Sequence, residues 1–351
     1  EILTGSTKSS IRKNIHEKLS NGEINIIVGT HSLIEDKIIF KNLGIVIIDE
    51  QHRFGVAQRA KLWYKNNLPP HVLVMTATPI PRTLAMSIYG DLDFSVIREL
   101  PPGRKKIKTF LMGENNRLKL FKFLRDQIDL GKQIFIVYPL IEESQKMDYK
   151  DLMDGYESIC REFPLPKYKI SIMHGKMNTE DKDYEMKRFL QGKSQIMVST
   201  TVIEVGVNIP NANVMVIESS ERFGLSQLHQ LRGRVGRGNE QSFCILMRGK
   251  KISNDAKLRL KTMVKTTDGF EIAEVDLKLR GPGNIAGTQQ SGLMKLKIAD
   301  LVKDQEILKV ARSYAKNLIV NDPKLSHEDN MNVKSELNKI TSNKKIWKLI
   351  S

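Results

Sequence analysis

Gln230, Arg234 and Arg237 lie in the run QLHQLRGRVGRG (227–238) at spacings of four and three, so they share one face for as long as a helix persists. A planar guanidinium donates two hydrogen bonds at once and can clamp a phosphate. Two of them facing a triphosphate can act as arginine fingers on a transferred phosphoryl group. Glycines beside the arginines permit close backbone approach. Leu225, Leu228 and Leu231, one helical turn apart, are the expected anchors of the opposite face. A second constellation is Asp49-Glu50, directly after the apolar run 43–48. At a strand tip, an Asp can hold Mg²⁺ through water, because this hard cation keeps its hydration. The adjacent Glu can orient or deprotonate a water that attacks a phosphoryl group. A solvated helix start would also carry two acids. Gln51 and His52 extend the pair to DEQH and move the balance toward chemistry.

Less specific candidates come after other strand-like runs. Thr76-Ala77-Thr78-Pro79 sets two small hydroxyls at a strand end, where they could relay hydrogen bonds from a nucleotide site, or simply form a turn. Ser199-Thr200-Thr201, with Glu204 to Asn208 behind it, could bind backbone phosphates of a nucleic acid without reading sequence. Asn208 could meet a ribose or the nucleotide edge, although ordinary helix capping would use the same residue types. Gly29-Thr30-His31, Thr4-Gly5-Ser6 and His174-Gly175 are of the same kind.

The elements that must hold these residues are short apolar runs: 24–28, 43–48, 72–75, 134–138, 170–173, 196–198, 214–217 and 243–247. Continuous rather than alternating apolar residues suit strands buried on both faces of a parallel sheet. Helical patterns lie between them. One spans 179–191, capped by Asn178 or Thr179, with Met186, Phe189 and Leu190 on one face. The alternation predicts an α/β fold. Pro101-Pro102-Gly103-Arg104-Lys105-Lys106 reads as a linker with a solvated basic cluster, and strand runs stop after about residue 250. The expected division is therefore 1–100, 101–250 and 251–351.

Composition narrows the classes. The chain has 351 residues, 56 Lys plus Arg against 40 Asp plus Glu, and a net charge of +16. Such an excess favours a polyanionic partner. Two cysteines, Cys160 and Cys244, exclude a disulfide framework and have no metal-ligand spacing. No apolar run approaches the ~20 residues of a membrane span, and the first ten residues lack a signal peptide's apolar core. A cytoplasmic location is the expectation.

DEQHRFG (49–55), TATPIPRTL (76–84), VSTTVIEVGVNIPNA (198–212) and QLHQLRGRVGRG (227–238) occur in this order and together resemble motifs II, III, V and VI of superfamily 2 helicases. DEQHRFGVAQR and LRGPGNIAGTQQSG (279–292) narrow the resemblance to the RecG family of ATP-dependent DNA helicases. The resemblance implies two RecA-like parallel-sheet lobes, the first truncated, followed by a helical hairpin and tail. It implies ATP and Mg²⁺ as cofactors, with Asp49 on the metal, Glu50 on the hydrolytic water and Arg234 and Arg237 on the phosphates. Gln51, His52, Gly206, Asn208 and Gln230 would bind nucleotide. Thr30, Thr76, Thr78, Thr200, Thr201, Arg280 and Gln290 would contact DNA or couple hydrolysis to motion along it. The implied partner is branched double-stranded DNA (forks and Holliday junctions), with single-stranded DNA-binding protein as a second partner and a monomeric state. Many relatives carry Asp where Asn208 stands, and Arg is common at the position of Gln289.

No G-x-x-x-x-G-K-[ST] loop occurs in the chain, and Glu1 to Gly5 reads as the end of a strand rather than a start. The expectation is a C-terminal piece, inactive by itself, with the phosphate loop and a DNA-binding wedge domain preceding it. Two alternatives stand beside this one. A duplex translocase of the transcription-repair coupling type shares three of the motifs. A non-enzymatic nucleic-acid-binding module would explain the charge but would not require the acids at 49–50 together with Gln230, Arg234 and Arg237.

Overall fold

The structure, a computed structural model, describes residues 1–50, 69–77, 95–97, 99–139, 145–200, 209, 211–284 and 304–342. Their described parts group into two compact units, one drawn from Glu1–Ala77 and Arg280–Ser351, the other from Asp91–Leu279.

The second unit carries a six-stranded sheet. Its strands are β5 (Lys108–Gly113), β6 (Gln133–Tyr138), β7 (Ile170–Met173), β8 (Ile196–Thr200), β9 (Ala212–Ile217) and β10 (Phe243–Arg248), in spatial order β5-β10-β9-β6-β8-β7. Every pairing is parallel. The unbroken apolar runs have a direct physical reason here. Phe135, Val137, Met197, Met215, Ile217, Cys244 and Leu246 face one core, while Ile134, Ile136, Ile196, Val198, Val214, Val216 and Ile245 face another. Side chains alternate along a strand, and both faces are covered, so neither set can be polar. Helices α2 (Arg117–Asp129) and α3 (Gln145–Glu162) cover the second face through Leu120, Phe121, Leu124, Leu152 and Ile159. Helices α4 (Thr179–Leu190), α5 (Leu225–Arg232), α6 (Asn254–Lys265) and α7 (Gly269–Asn284) contribute Phe189, the three leucines of α5, Leu260, Met263 and Ile272 to the first.

Asn178 caps α4 by accepting from the Asp181 N–H at 2.7 Å, as its sequence predicts. Phe189 is buried on the expected face, but Leu190 is largely exposed. Strand β5 has no counterpart among the apolar runs: its burial is partial and Phe110 is exposed, so an edge strand lacks the apolar density of its neighbours. Two further observations lie near the expected boundaries. In the 101–106 segment Lys105 and Lys106 are exposed, while Arg104 Nε donates to the Gly236 carbonyl at 2.7 Å and Lys106 O accepts from Gln241 Nε2. The core of this unit also continues past residue 250, since α6 and the first part of α7 are packed into it.

Among the described residues, the first unit contains two parallel pairs. β1 (Ile2–Leu3) lies beside β2 (Val28–Gly29), and β3 (Ile45–Ile48) beside β4 (His71–Val74). Helix α1 (Ser9–Asn21) packs Ile15 and Leu19 against Leu3 and Ile38. Of the 24–28 run only Val28 enters a strand, as the first residue of the two-residue β2. In β3, Ile48 is buried with Val46 behind it, whereas Ile45 and Ile47 are exposed, so this strand is not buried on both faces. Helices α8 (Gln305–Asn321) and α9 (Met331–Ser342) complete the described chain. Among the described residues, no helix is long and apolar enough to cross a membrane.

Candidate functional site

Asp49 and Glu50 stand at the carboxyl end of β3, the end at which open parallel sheets bind ligands. Met75 N donates to Ile48 O at 2.8 Å, so the register brings Thr76 to the same sheet end. Glu50 adopts φ +50°, in the left-handed region that side chains avoid. Asp49 Oδ1 accepts the Glu50 N–H at 2.9 Å and braces the turn. Asp49 is exposed and is not grouped with two or more other acids, His or Cys among the described residues. One hard carboxylate in water fits a Mg²⁺ that keeps most of its hydration and takes its remaining ligands from substrate phosphates.

The arginine segment is more elaborate than its spacing predicts. Leu225 and Leu228 are fully buried and Leu231 nearly so. A fully buried leucine contributes about 1.5–3 kcal/mol, so α5 is firmly seated. The helix stops at Arg232. A tightened turn comes next, with Gly233 N–H on His229 O and Arg234 N–H on Leu231 O, both at 3.0 Å. Gly236 then turns left-handed at φ +76°, with Ile107 packed where a Cβ would stand. Gln230 therefore lies on the helix, Arg234 in the turn and Arg237 beyond it. The shared helical face fails for Arg237, because Gly236 ends the helical path. Gln230 and Arg234 are half-buried, and Arg237 is exposed.

The other expected contacts divide clearly. Thr30 is exposed at the carboxyl end of β2, next to the Thr4–Thr7 loop at the carboxyl end of β1. That loop is tied by Thr4 N–H to Thr7 Oγ1 at 3.0 Å, and Arg12 Nη2 donates to Thr4 O at 2.9 Å. Half-buried Thr4 and Thr7 and exposed Ser6, just before the N-terminus of α1, carry hydroxyls of a kind that suits phosphate oxygens. Thr200 is buried at the end of β8, as is Ser199 before it. Arg280 is on α7, but its side chain lies outside the described residues, as do Gln51, His52, Thr78, Thr201, Gly206, Asn208 and Gln290.

Sequence reading missed three groups. Arg117, at the start of α2, forms a two-pronged ion pair with Glu218, Nη1 to Oε1 at 2.9 Å and Nη2 to Oε2 at 3.0 Å. Glu218 comes directly after β9 and is almost wholly buried, so the pair pins the start of the loop that leads to α5. Arg104 is the second group, on the Gly236 carbonyl. The third is Arg232, buried two residues before the first of the two arginines that the motif makes conspicuous. No local signal distinguishes an inward arginine from an outward one in a basic run.

Arg232 also fixes the state of His229. Its Nη2 lies 3.1 Å from His229 Nδ1. A guanidinium cannot accept, so Nδ1 is the acceptor and the ring hydrogen sits on Nε2. Burial first, and then the Arg232 charge, push the imidazole down from 6.5 to about 4, while Asp268 opposes the shift. The unfolded chain binds this proton between those values and the folded chain does not. Stability is thus complete above pH 6.5 and falls as pH drops toward 4, by up to ~3 kcal/mol. Urea unfolding at pH 7.5 and 4.5 checks this: His229→Gln should lose much less stability between the two than the unchanged protein. Equal losses would remove His229 as the cause.

Three family models match the chain: "DEAD/DEAH box helicase" over 1–87, "Helicase conserved C-terminal domain" over 118–239, and "ATP-dependent DNA helicase RecG, domain 3, C-terminal" over 266–351. The chain is 51% identical over 334 residues to the ATP-dependent DNA helicase RecG of Synechocystis, covering 95% of this chain and 40% of that protein. It is 51% identical over 321 residues to the RecG of Bacillus subtilis, covering 92% of this chain and 47% of that one. Among solved structures it is similar to RecG bound to a three-way DNA junction, with 46% identity, a TM-score of 0.64, and coverage of 88% of this chain and 39% of that chain. The chain thus spans less than half the length of these relatives.

Proposed function

This chain belongs to the RecG family of helicases, and from that premise we propose that it supplies motor parts of an ATP-dependent DNA helicase that remodels branched DNA, stalled forks and Holliday junctions, in recombination and repair. The observation that carries the reading is the roughly half-identity to RecG proteins over more than nine-tenths of the chain, together with Asp49-Glu50 at a strand tip and Arg234 and Arg237 on a buried leucine platform.

In this reading Asp49 holds Mg²⁺ through water, and the metal supplies charge neutralisation on the phosphates when bound. Glu50 orients and deprotonates the attacking water. Arg234 and Arg237 stabilise charge on the transferred phosphoryl group, and Gln230 hydrogen-bonds the nucleotide. Thr76 relays the state of the nucleotide site. The loops at Thr4–Thr7 and Thr30 hold DNA backbone, and the segment from Arg280 converts nucleotide-driven movement into travel along the duplex. Residues 1–100 serve the nucleotide-binding lobe, 101–250 the second motor lobe, and 251–351 translocation. The protein works in the cytoplasm as a monomer, with single-stranded DNA-binding protein as a further partner.

The test uses the full-length gene product. ATP hydrolysis should be stimulated more by a fork or a three-way junction than by linear duplex of equal length. Fork affinity should fall steeply with salt, with a log–log slope of about −0.9 for each phosphate contact. Equal stimulation by linear duplex would defeat the branched-DNA reading, and a flat salt response would speak against a grip on backbone phosphates.

A further inference from the structure

We propose that Arg232 is the positioning residue of the arginine segment: its guanidinium, tied to the carbonyls that end α6, sets where Arg234 and Arg237 stand. The proposal rests on the phosphoryl-transfer reading of those two arginines.

Sequence gives Arg232 no distinction from its neighbours, but the structure separates them. It is 3% exposed, whereas Arg237 lies in solvent. Its Nη1 donates to Met263 O and to Thr266 O, each at 2.9 Å, and its Nη2 donates to His229 Nδ1. The last carbonyls of a helix lack intrahelical donors and form the negative end of its dipole, so a guanidinium satisfies both needs there. No carboxylate pairs with Arg232 among the described residues. The buried charge is therefore balanced by oriented carbonyls and one imidazole. Burying a charge is costly unless every bond is in place, which makes the arrangement stiff.

Stiffness at this point bears directly on the two phosphate-facing arginines. Arg232 is the last residue of α5, and its carbonyl accepts the Val235 N–H of the turn at 3.4 Å. Arg234 is two residues on and Arg237 five. At the far side, Arg104 Nε holds the Gly236 carbonyl. The segment is thus gripped at its entry by Arg232 and at its exit by Arg104. Ser226 Oγ, at the start of the same helix, reaches Asp276 Oδ2 of α7 at 3.3 Å, so α5 is tied to α7 at its start and to the end of α6 at its finish. A guanidinium that serves a transition state must be placed closely, and an error of about 1 Å can cost about 100-fold in rate.

Arg232→Lys and Arg232→Met in the full-length gene product test this. An ammonium keeps the charge but cannot span two carbonyls and the imidazole in one plane. Arg232→Lys is expected to stay folded and to bind ATP and fork DNA within about threefold of the unchanged protein, with kcat lower by about 30-fold or more. Backbone amides of 233–238 should exchange hydrogen at least about tenfold faster, with those of β8 unaltered. Folded Arg232→Lys with kcat within twofold overturns the proposal. So does a loss that only tracks the folded fraction, or faster exchange spread over the whole unit. If Arg232→Met does not fold, Arg232→Lys alone decides. If the unchanged protein shows no DNA-stimulated hydrolysis, the helicase reading falls, while the exchange pattern still judges the clamp.

Discussion

Arg237→Ala should lower DNA-stimulated ATP hydrolysis by about 10³-fold or more while leaving fork affinity near normal. A guanidinium that meets developing charge on a transferred phosphoryl group is worth about 10³–10⁵ in kcat. It makes most of that interaction only in the transition state, so kcat falls and KM for ATP moves little. Arg237 is exposed, beyond the left-handed Gly236, while Leu225, Leu228 and Leu231 form the buried platform that seats α5. The truncation leaves that platform intact, so thermal stability should shift by no more than a few degrees. Steady-state hydrolysis with and without fork DNA, beside a fork-binding titration, checks the result. Lost fork affinity with hydrolysis retained would make Arg237 a DNA contact instead.

Glu50→Gln should reduce kcat by about 10²–10⁴-fold, the range over which a positioned general base contributes. The amide keeps the size of the carboxylate and can still hold a water, but it cannot take the water's proton. Gln occupies the same backbone geometry as Glu, so the φ +50° turn braced by Asp49 is retained. ATP affinity should be unchanged or tighter, because a negative charge near the triphosphate is removed. The variant should therefore bind ATP and fork together and turn over slowly. Single-turnover hydrolysis with ATP-binding titration separates the two steps. Hydrolysis within threefold of the unchanged protein would move the base away from Glu50.

The strands of the second unit were readable because burial on both faces leaves no polar position to obscure the run. Strand β5 was not, because an edge strand with one half-open face carries the mixed pattern Lys108 to Gly113. Strand β3 lies where its apolar run predicts, yet its exposed Ile45 and Ile47 do not fit a strand buried on both faces. Residue type records a tendency to be buried, not the presence of a covering element.

For the candidate site, residue chemistry picked out Asp49, Glu50, Gln230, Arg234 and Arg237, since carboxylates and guanidiniums at such spacings serve few purposes. The amino-acid order by itself determined the α/β class, the strand tip that carries Asp49 and Glu50 and the leucine anchor of α5, because local periodicity and hydrophobicity act over a few residues. Only the tertiary structure decided which arginine turns inward, that Arg104 grips Gly236, and that Arg117 pairs with Glu218. Those contacts join positions about 30 to 130 apart along the chain, and their strength depends on burial and on carbonyl directions that exist only once the sheet and its helices have packed.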